Sequence, residues 1–230
     1  METFTYAVVT FGAAVLLVGT LAGWIGERGE PTGPAIGRGM WLLTLPTWAR
    51  VLVLTISLPA AAWTTVRLWV PLPIAIPNSL IPFSQLVGLA LFVAGDALTI
   101  WGRVTLGRMW TVSTSFGVRL HAHHRLVQHG PFAIVRHPMY LGFVGLLVGL
   151  TFLYHTWAVA ICLLMVLATF PRRARVEETA LEATFGDDWR RYARRVPMWI
   201  PAWVGPRGPL QTTVVGQLTA AAALGLARLV

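Results

Sequence analysis

Lysine is missing from this chain. All 18 basic residues are arginine, set against nine acidic residues for a formal charge of +9. Charge of either sign is scarce: charged residues make up 12% of the 230, where soluble domains carry roughly 25%. That leaves too little polar surface to cover a water-soluble globule. The few charges are also clustered, so long stretches carry none. A single cysteine, Cys162, excludes an internal disulfide; lying in an apolar run, it is expected to be a small buried hydrophobe. No glycine-rich loop follows a strand pattern, which excludes a soluble Rossmann-type nucleotide binder. No Lys or Arg opens the N-terminus, where Glu2 precedes an uncharged run from Thr3 to Gly26. That run is long enough to span a bilayer, so a retained helix is preferred to a signal peptide.

What is present is apolar. Hydrophobic residues are 56% of the chain, and a bilayer core of ~30 Å needs about 20 helical residues. Candidate spans are Phe4 to Ile25, Ala49 to Val70 and Phe83 to Trp101, followed by two in Met139 to Phe170. The stretch Met139 to Phe170 has no Asp, Glu, Lys or Arg, and Tyr154-His155-Thr156 is its most polar point. A tight helical hairpin is predicted there, with short arms of roughly 16 residues that just cross a thin bilayer. A last run, Gly208 to Ala227, is Ala-, Gly- and Thr-rich and marginal as a span. The expected fold is an all-α integral membrane protein, a bundle of about five transmembrane helices, or six if the last run spans. It divides into N-terminal helices (1–82), a core (83–201) and a C-terminal apolar segment (202–230).

The arginines set the orientation. They fall between the first two spans (Arg28, Arg38, Arg50), between the third and fourth (Arg103, Arg108, Arg119, Arg125, Arg136) and after the fifth, from Arg172 to Arg195. The loop from Val70 to Pro82 has none, and carries Pro71, Pro73, Pro77 and Pro82. The positive-inside rule puts the arginine-bearing loops in the cytoplasm, facing anionic lipid. This membrane role accounts for the basic excess without a nucleic-acid partner, and the eleven tryptophans read as interface anchors. Past the hairpin, Leu181, Phe185, Trp189 and Tyr192 recur three or four apart. They predict a basic amphipathic helix, Arg172 to Arg195, lying on the membrane surface or capping the bundle.

The densest polar cluster is Gly130-Pro131-Phe132-Ala133-Ile134-Val135-Arg136-His137-Pro138-Met139-Tyr140-Leu141-Gly142. Pro138 suits the first turn of a helix, so Arg136 and His137 should lie just before its start, beside free backbone N–H groups. That is a natural place for an anion. About forty residues on comes Glu177-Glu178, with only the apolar hairpin between. Two spans return the chain to the same face, so the two clusters should meet in space.

Arg136-His137-Pro138-Met139-Tyr140-Leu141-Gly142, a hydrophobic stretch and then Glu177-Glu178 resemble the isoprenylcysteine carboxyl methyltransferase superfamily, including phospholipid N-methyltransferases. Phe185-Gly186, Trp189, Tyr192, Val196 and Pro197 resemble that family's tail, and Leu106-Gly107-Arg108-Met109-Trp110 an upstream element. The resemblance covers Phe83 to Pro201. It implies a cytoplasmic pocket for S-adenosylmethionine, contacted by His137, Tyr140, Gly142, Glu178, Arg136 and Trp110. It also implies a lipophilic acceptor entering sideways between helices. For the chemistry itself, Arg136, His137 and Glu177 are the candidates: a carboxylate or thiolate acceptor needs no strong base, whereas an amine must lose a proton. The prenylcysteine substrate is not carried over. The first two helices match nothing in the family's pattern, and an arginine-only basic set points to a GC-rich, prokaryotic inner or plasma membrane.

The other readings are an NADPH-dependent membrane reductase of the related sterol reductase fold and a non-catalytic membrane protein. His121, His123, His124 and His129 form a histidine-rich patch. With no cysteine or carboxylate nearby they are assigned no metal. Asp96, in an apolar helix, is read either as functional or as the partner of Arg103 or Arg108.

Overall fold

The computed structural model describes residues 63–110 and 125–201, with a few helical positions between 7 and 18 and between 56 and 61. The expected span Phe4 to Ile25 therefore lies mostly outside the described residues, and that from Ala49 to Val70 lies partly outside them. The 208–227 run, the 202–230 segment and His121, His123 and His124 lie outside them altogether. The described elements are α1 (Ile81–Leu106), α2 (Pro138–Tyr154), α3 (Trp157–Phe185) and α4 (Asp187–Arg195), with short 3-10 turns at Gly107–Met109 and Gly130–Ala133. No strand occurs among the described residues, only one antiparallel bridge, Pro71 to Thr156.

α1 and α3 are long and apolar enough to cross a membrane. Only 28% of the most apolar window of α1, and 17% of that of α3, is buried against protein. The remainder presents Phe83, Leu86, Val104, Leu164 and Met165 outward. A continuous apolar surface of this kind suits lipid and not water. Cys162, expected inside, is exposed on this outer surface of α3, because in lipid the apolar residues face outward as well as inward.

What joins α1 to α2 is a seam of glycines. Gly88, Gly95 and Gly102 recur every seventh residue on α1, and Gly142 and Gly149 do the same on the antiparallel α2. A Cβ added to Gly142 would fall 2.5 Å from Thr99 Oγ1 and 2.6 Å from the Gly95 carbonyl. One added to Gly95 would strike the Leu146 backbone nitrogen, and one on Gly149 the Phe92 backbone nitrogen. In lipid the hydrophobic effect does not press helices together, so close backbone approach at small residues has to hold them. Phe92, Leu146, Leu147, Leu153 and Val166 fill the space beside the seam, with Val8 and Val9 of the N-terminal helical segment packed against them. A Cβ on Gly12 would fall 2.8 Å from Asp96 Oδ2, so Asp96 lies buried where that segment crosses α1. Arg103, one of the two partners expected for it, instead donates to the Gly107 carbonyl (3.1 Å) and lies 4.1 Å over the Trp110 ring.

The hairpin turns where expected. His155 takes a left-handed conformation (φ 48°) after α2, and its ring meets Ser84 Oγ at 3.3 Å. The proline-rich loop closes over this tip: Leu72 N–H donates to the His155 carbonyl (2.7 Å) and Trp157 N–H to that of Val70 (3.0 Å). The second arm differs from expectation. The chain does not break after Phe170; α3 runs on through Pro171 to Phe185, and the amphipathic stretch expected as one helix from Arg172 to Arg195 is the end of α3 plus α4. Proline removes one backbone bond and kinks a helix without obliging it to stop. The stop falls at Gly186, where φ is +52°, a conformation glycine takes freely. At ~1.5 Å per residue the 29 residues of α3 span about 44 Å, longer than the ~30 Å hydrocarbon core. Its polar end, with Glu177 and Glu178, therefore projects beyond the apolar layer.

The seam makes a sharp distinction among neighbours. Gly95→Ala and Gly149→Ala should each cost about 1–3 kcal/mol, the range for overpacking. Gly145→Ala, whose added Cβ meets only the Gly95 Cα at 3.6 Å, should be tolerated. Thermal melting of the three variants in detergent checks the ranking.

Candidate functional site

Polar chemistry gathers at one end of the bundle, where α1 ends, α2 begins and α3 emerges. Pro138 is the first residue of α2, so Arg136 and His137 sit just before the helix, as its spacing predicted. Arg136 turns its guanidinium to Glu178. Its Nε donates to Glu178 Oε1 at 2.8 Å and its Nη2 to Oε2 at 3.3 Å. Nη1 donates to the carbonyls of Ala193 (2.7 Å) and Val196 (3.2 Å). The Arg136 backbone N–H donates to the Pro197 carbonyl (2.9 Å), and the Tyr192 hydroxyl to that of Phe132 (2.7 Å). One guanidinium thus ties together the loop before α2, the outer turn of α3 and the end of α4. Trp189, Tyr192 and Val196 form a small buried core beneath it, packed by Leu126, Leu181 and Phe185. The amphipathic face therefore caps the bundle.

Glu178 is a carboxylate in use. Burial pushes its pKa up, but the hydrogen bond from His137 and the charge of Arg136 outweigh burial, and the net shift is downward. An ionised carboxylate only accepts, so at 3.1 Å from Glu178 Oε1 the His137 Nε2 carries the proton. Nδ1, on the other side of the ring, lies 3.8 Å from Glu177 Oε2. The other carboxylate sits differently. The Tyr140 hydroxyl donates to Glu177 Oε1, and Arg173 Nε lies 3.4 Å from the same oxygen. Adjacent positions on a helix point about 100° apart, which separates the two: Glu178 faces the loop and tail, Glu177 the cavity.

That cavity, of about 170 Å³, is lined by Glu177, Arg173, His137 and Tyr140 on one side and by Trp110, Phe132 and Trp189 among its apolar walls. Of the residues singled out in the sequence, Trp110, Arg136, His137, Tyr140 and Glu177 line it. Glu178 stands behind Arg136 and His137, outside the lining, and Gly142 lies in the α1–α2 seam. Rings continue from the site into the apolar layer. Trp199 lies 5.4 Å from the His137 ring, Tyr140 4.6 Å from Phe170, and Phe170 5.8 Å from Phe143. Sequence reasoning missed Arg173, which stands four residues before Glu177 and so on the same helix face. It also missed Trp199 and the Ala193 and Val196 carbonyls; a carbonyl has no signature in residue identity. Among the described residues no cluster of three potential metal ligands occurs.

Residues 83–188 match the family model described as phospholipid methyltransferase. Over 115 residues the chain is 34% identical to protein-S-isoprenylcysteine O-methyltransferase B of Arabidopsis thaliana, a match covering 50% of this chain and 57% of that one. Over 79 residues it is 37% identical to the protein-S-isoprenylcysteine O-methyltransferase of Schizosaccharomyces pombe, covering 34% of each. The chain thus spans little more than half the length of the curated relatives it matches. A solved eukaryotic intramembrane Ras methyltransferase aligns with a TM-score of 0.47 at 21% identity, over 63% of this chain and 52% of the other. The relatives named are plant and yeast proteins and lend no support to the prokaryotic source expected from arginine usage.

The ion pair has a pH signature. Because the Glu178 pKa is lowered on folding, its contribution is fully present above its ordinary 4.5 and is lost as pH falls through the folded value. Melting temperature should fall as the pH drops below that range, and Glu178→Gln should flatten the fall. At neutral pH Arg136→Lys, which loses the fork geometry, should cost about 2 kcal/mol. A melting series from acid to neutral pH on the three proteins reads both effects.

Proposed function

We propose that the chain, whose residues 83–188 match the phospholipid methyltransferase model and which is similar to isoprenylcysteine methyltransferases over half its length, is an integral membrane methyltransferase. Its donor is S-adenosylmethionine and its acceptor lipophilic. The observation that carries the reading is the cavity: carboxylate, guanidinium, imidazole and aromatic walls converge at the mouth of an apolar bundle. The donor set fits. Trp110, Phe132 and Trp189 offer flat faces for an adenine. Glu177 offers an acceptor for a cationic or hydroxyl group, and Tyr140 an electron-rich ring for a cation.

When bound, S-adenosylmethionine supplies an activated methyl group, transferred to the acceptor by in-line displacement. The chain contributes position and electrostatics. Glu178 and Arg136 hold the loop before α2 in place, and Glu178 fixes the His137 tautomer, so Arg136 acts as a positioning residue. Tyr140 is oriented by Glu177 from below and by the Phe170 ring beside it. A carboxylate or thiolate acceptor needs only alignment, the largest saving an enzyme offers such a reaction. For an amine acceptor, His137 Nδ1 is the base. The file of rings from Trp199 through Tyr140 to Phe143 is the route for the acceptor's apolar tail from the bilayer. The relatives' names make an S-prenylcysteine carboxylate the first acceptor to try and a phospholipid amine the second. The arginine-bearing loops support a cytoplasmic position for this end of the bundle.

Calorimetric titration of the detergent-purified chain with S-adenosylhomocysteine, beside NADPH, tests the donor. Binding of the former alone is expected; NADPH binding without it would sink the proposal in favour of a reductase. Tyr140→Phe, which removes the hydroxyl that orients Glu177, should weaken S-adenosylhomocysteine by about tenfold, the equivalent of a hydrogen bond to a charged group. Transfer of labelled methyl to a small S-farnesylcysteine derivative or to a phospholipid then identifies the acceptor.

A further inference from the structure

At the polar end of the bundle each described carboxylate already faces an arginine. Glu178 holds Arg136, Glu177 lies against Arg173, Glu182 and Asp187 share Arg190, and Asp188 holds Arg191. Arg172 and Arg175 stand apart from this set. Both are exposed on α3, and among the described residues neither side chain has an ion pair, a hydrogen bond or a ring contact. Residues three apart on a helix are neighbours, and like charges so placed repel one another. No described residue of the chain offsets that repulsion.

Their place on the helix says what does. On the apolar length of α3, Leu164 and Met165 are 63% and 62% exposed and face lipid. Arg172 comes seven residues after Met165 and Arg175 eleven after Leu164, and at about 100° per residue each returns to within about 20° of that lipid-facing side chain. The two arginines therefore continue the lipid-facing stripe at the point where α3 leaves its apolar stretch. Helical side chains lean toward the helix N-terminus, which for α3 is back toward the apolar layer. Both guanidinium groups are thus held at the boundary between acyl chains and water, the level of the lipid phosphates. Arg173, between them in sequence, turns the other way, to Glu177 and Tyr140.

We propose that Arg172 and Arg175 form a headgroup site for one anionic phospholipid, whose phosphate accepts from both guanidinium groups at the outer edge of the bundle. A phosphate offers the oxygens that two forks can share, and its charge cancels their repulsion. A phospholipid reaches this stripe by lateral diffusion, whereas an acidic protein would have to approach a surface bordered by acyl chains. The site is independent of the reaction carried out in the cavity. It fixes the depth of α3: Glu177 stands two residues after Arg175, ~3 Å farther along the axis, so the cavity wall is held within one turn of the phosphate plane.

The test places the full chain in phosphatidylcholine bilayers and compares spin-labelled phosphatidylglycerol with spin-labelled phosphatidylcholine at the protein surface by electron paramagnetic resonance. The wild type should hold the anionic lipid about fivefold more tightly, the worth of one basic side chain at a charged surface. Arg172→Gln combined with Arg175→Gln should bring the two lipids to within about twofold of each other. Arg190→Gln combined with Arg191→Gln removes the same charge from arginines that already have partners, and should keep the preference. No preference in the wild type overturns the site, as does a preference retained without Arg172 and Arg175. An equal loss in the Arg190 and Arg191 variant overturns it too, in favour of a diffuse field. Displacement of the labelled lipid by glycerol 3-phosphate would assign the arginines to a soluble phosphate and overturn the lipid site. Should the double variant melt early in phosphatidylcholine, the single variants carry the test: each should lose part of the preference, and a full preference in both overturns the site.

Discussion

The clasp between Arg136 and Glu178 ties the loop before α2 to the outer turn of α3, and His137 on Glu178 and Tyr140 on Glu177 reinforce it. Forty-two residues of sequence separate Arg136 from Glu178, and most of what lies between is apolar hairpin. Lipid does not force α2 and α3 to meet at a given register. A fork of charge-assisted hydrogen bonds does, because its geometry admits one arrangement and its cost when broken is high in a half-buried setting. The same guanidinium holds the carbonyls at the end of α4, so the cap over the cavity, the loop before α2 and the outer turn of α3 are positioned by one group.

The paired glutamates divide their work as a consequence. Glu178 is consumed by the scaffold: it accepts from Arg136 and His137, and its charge is favoured by them. Glu177, turned about 100° around the helix, is held by Tyr140 and Arg173 at the cavity wall. A doublet that looks like redundancy is a structural carboxylate beside one that faces the cavity. His137 lies between them, its Nε2 toward Glu178 and its Nδ1 toward Glu177.

The bundle serves the site by being asymmetric along its length. At one end the hairpin tip is stitched to the proline-rich loop by backbone bonds and holds no ionised cluster among the described residues. At the other, α3 outruns the apolar layer by several turns and carries its carboxylates into a polar setting while its root stays among lipid-facing residues. The glycine seam makes this possible. By letting α1 and α2 touch backbone to backbone, it holds the start of α2, with His137 and Tyr140, against the cavity that the end of α1 also lines.

Composition and spacing by themselves determined that the chain lives in lipid, that a hairpin turns at Tyr154 to Thr156 and that α2 begins at Pro138. They also brought Arg136-His137 to the level of Glu177-Glu178. Each follows from local physics: the scarcity of charge, the geometry of proline, and the number of residues a bilayer needs. What only the tertiary structure decided is which atoms those residues use. Whether Arg136 greets a ligand or a carboxylate of its own chain, whether Glu177 or Glu178 faces the cavity, and whether Gly142 lies in the pocket or in the seam depend on helix rotation and register. Those are set by contacts between residues far apart in sequence and leave no periodic trace. The run of α3 through Pro171 to Phe185 is decided the same way, its outer turn held by Glu178 bonding to Arg136.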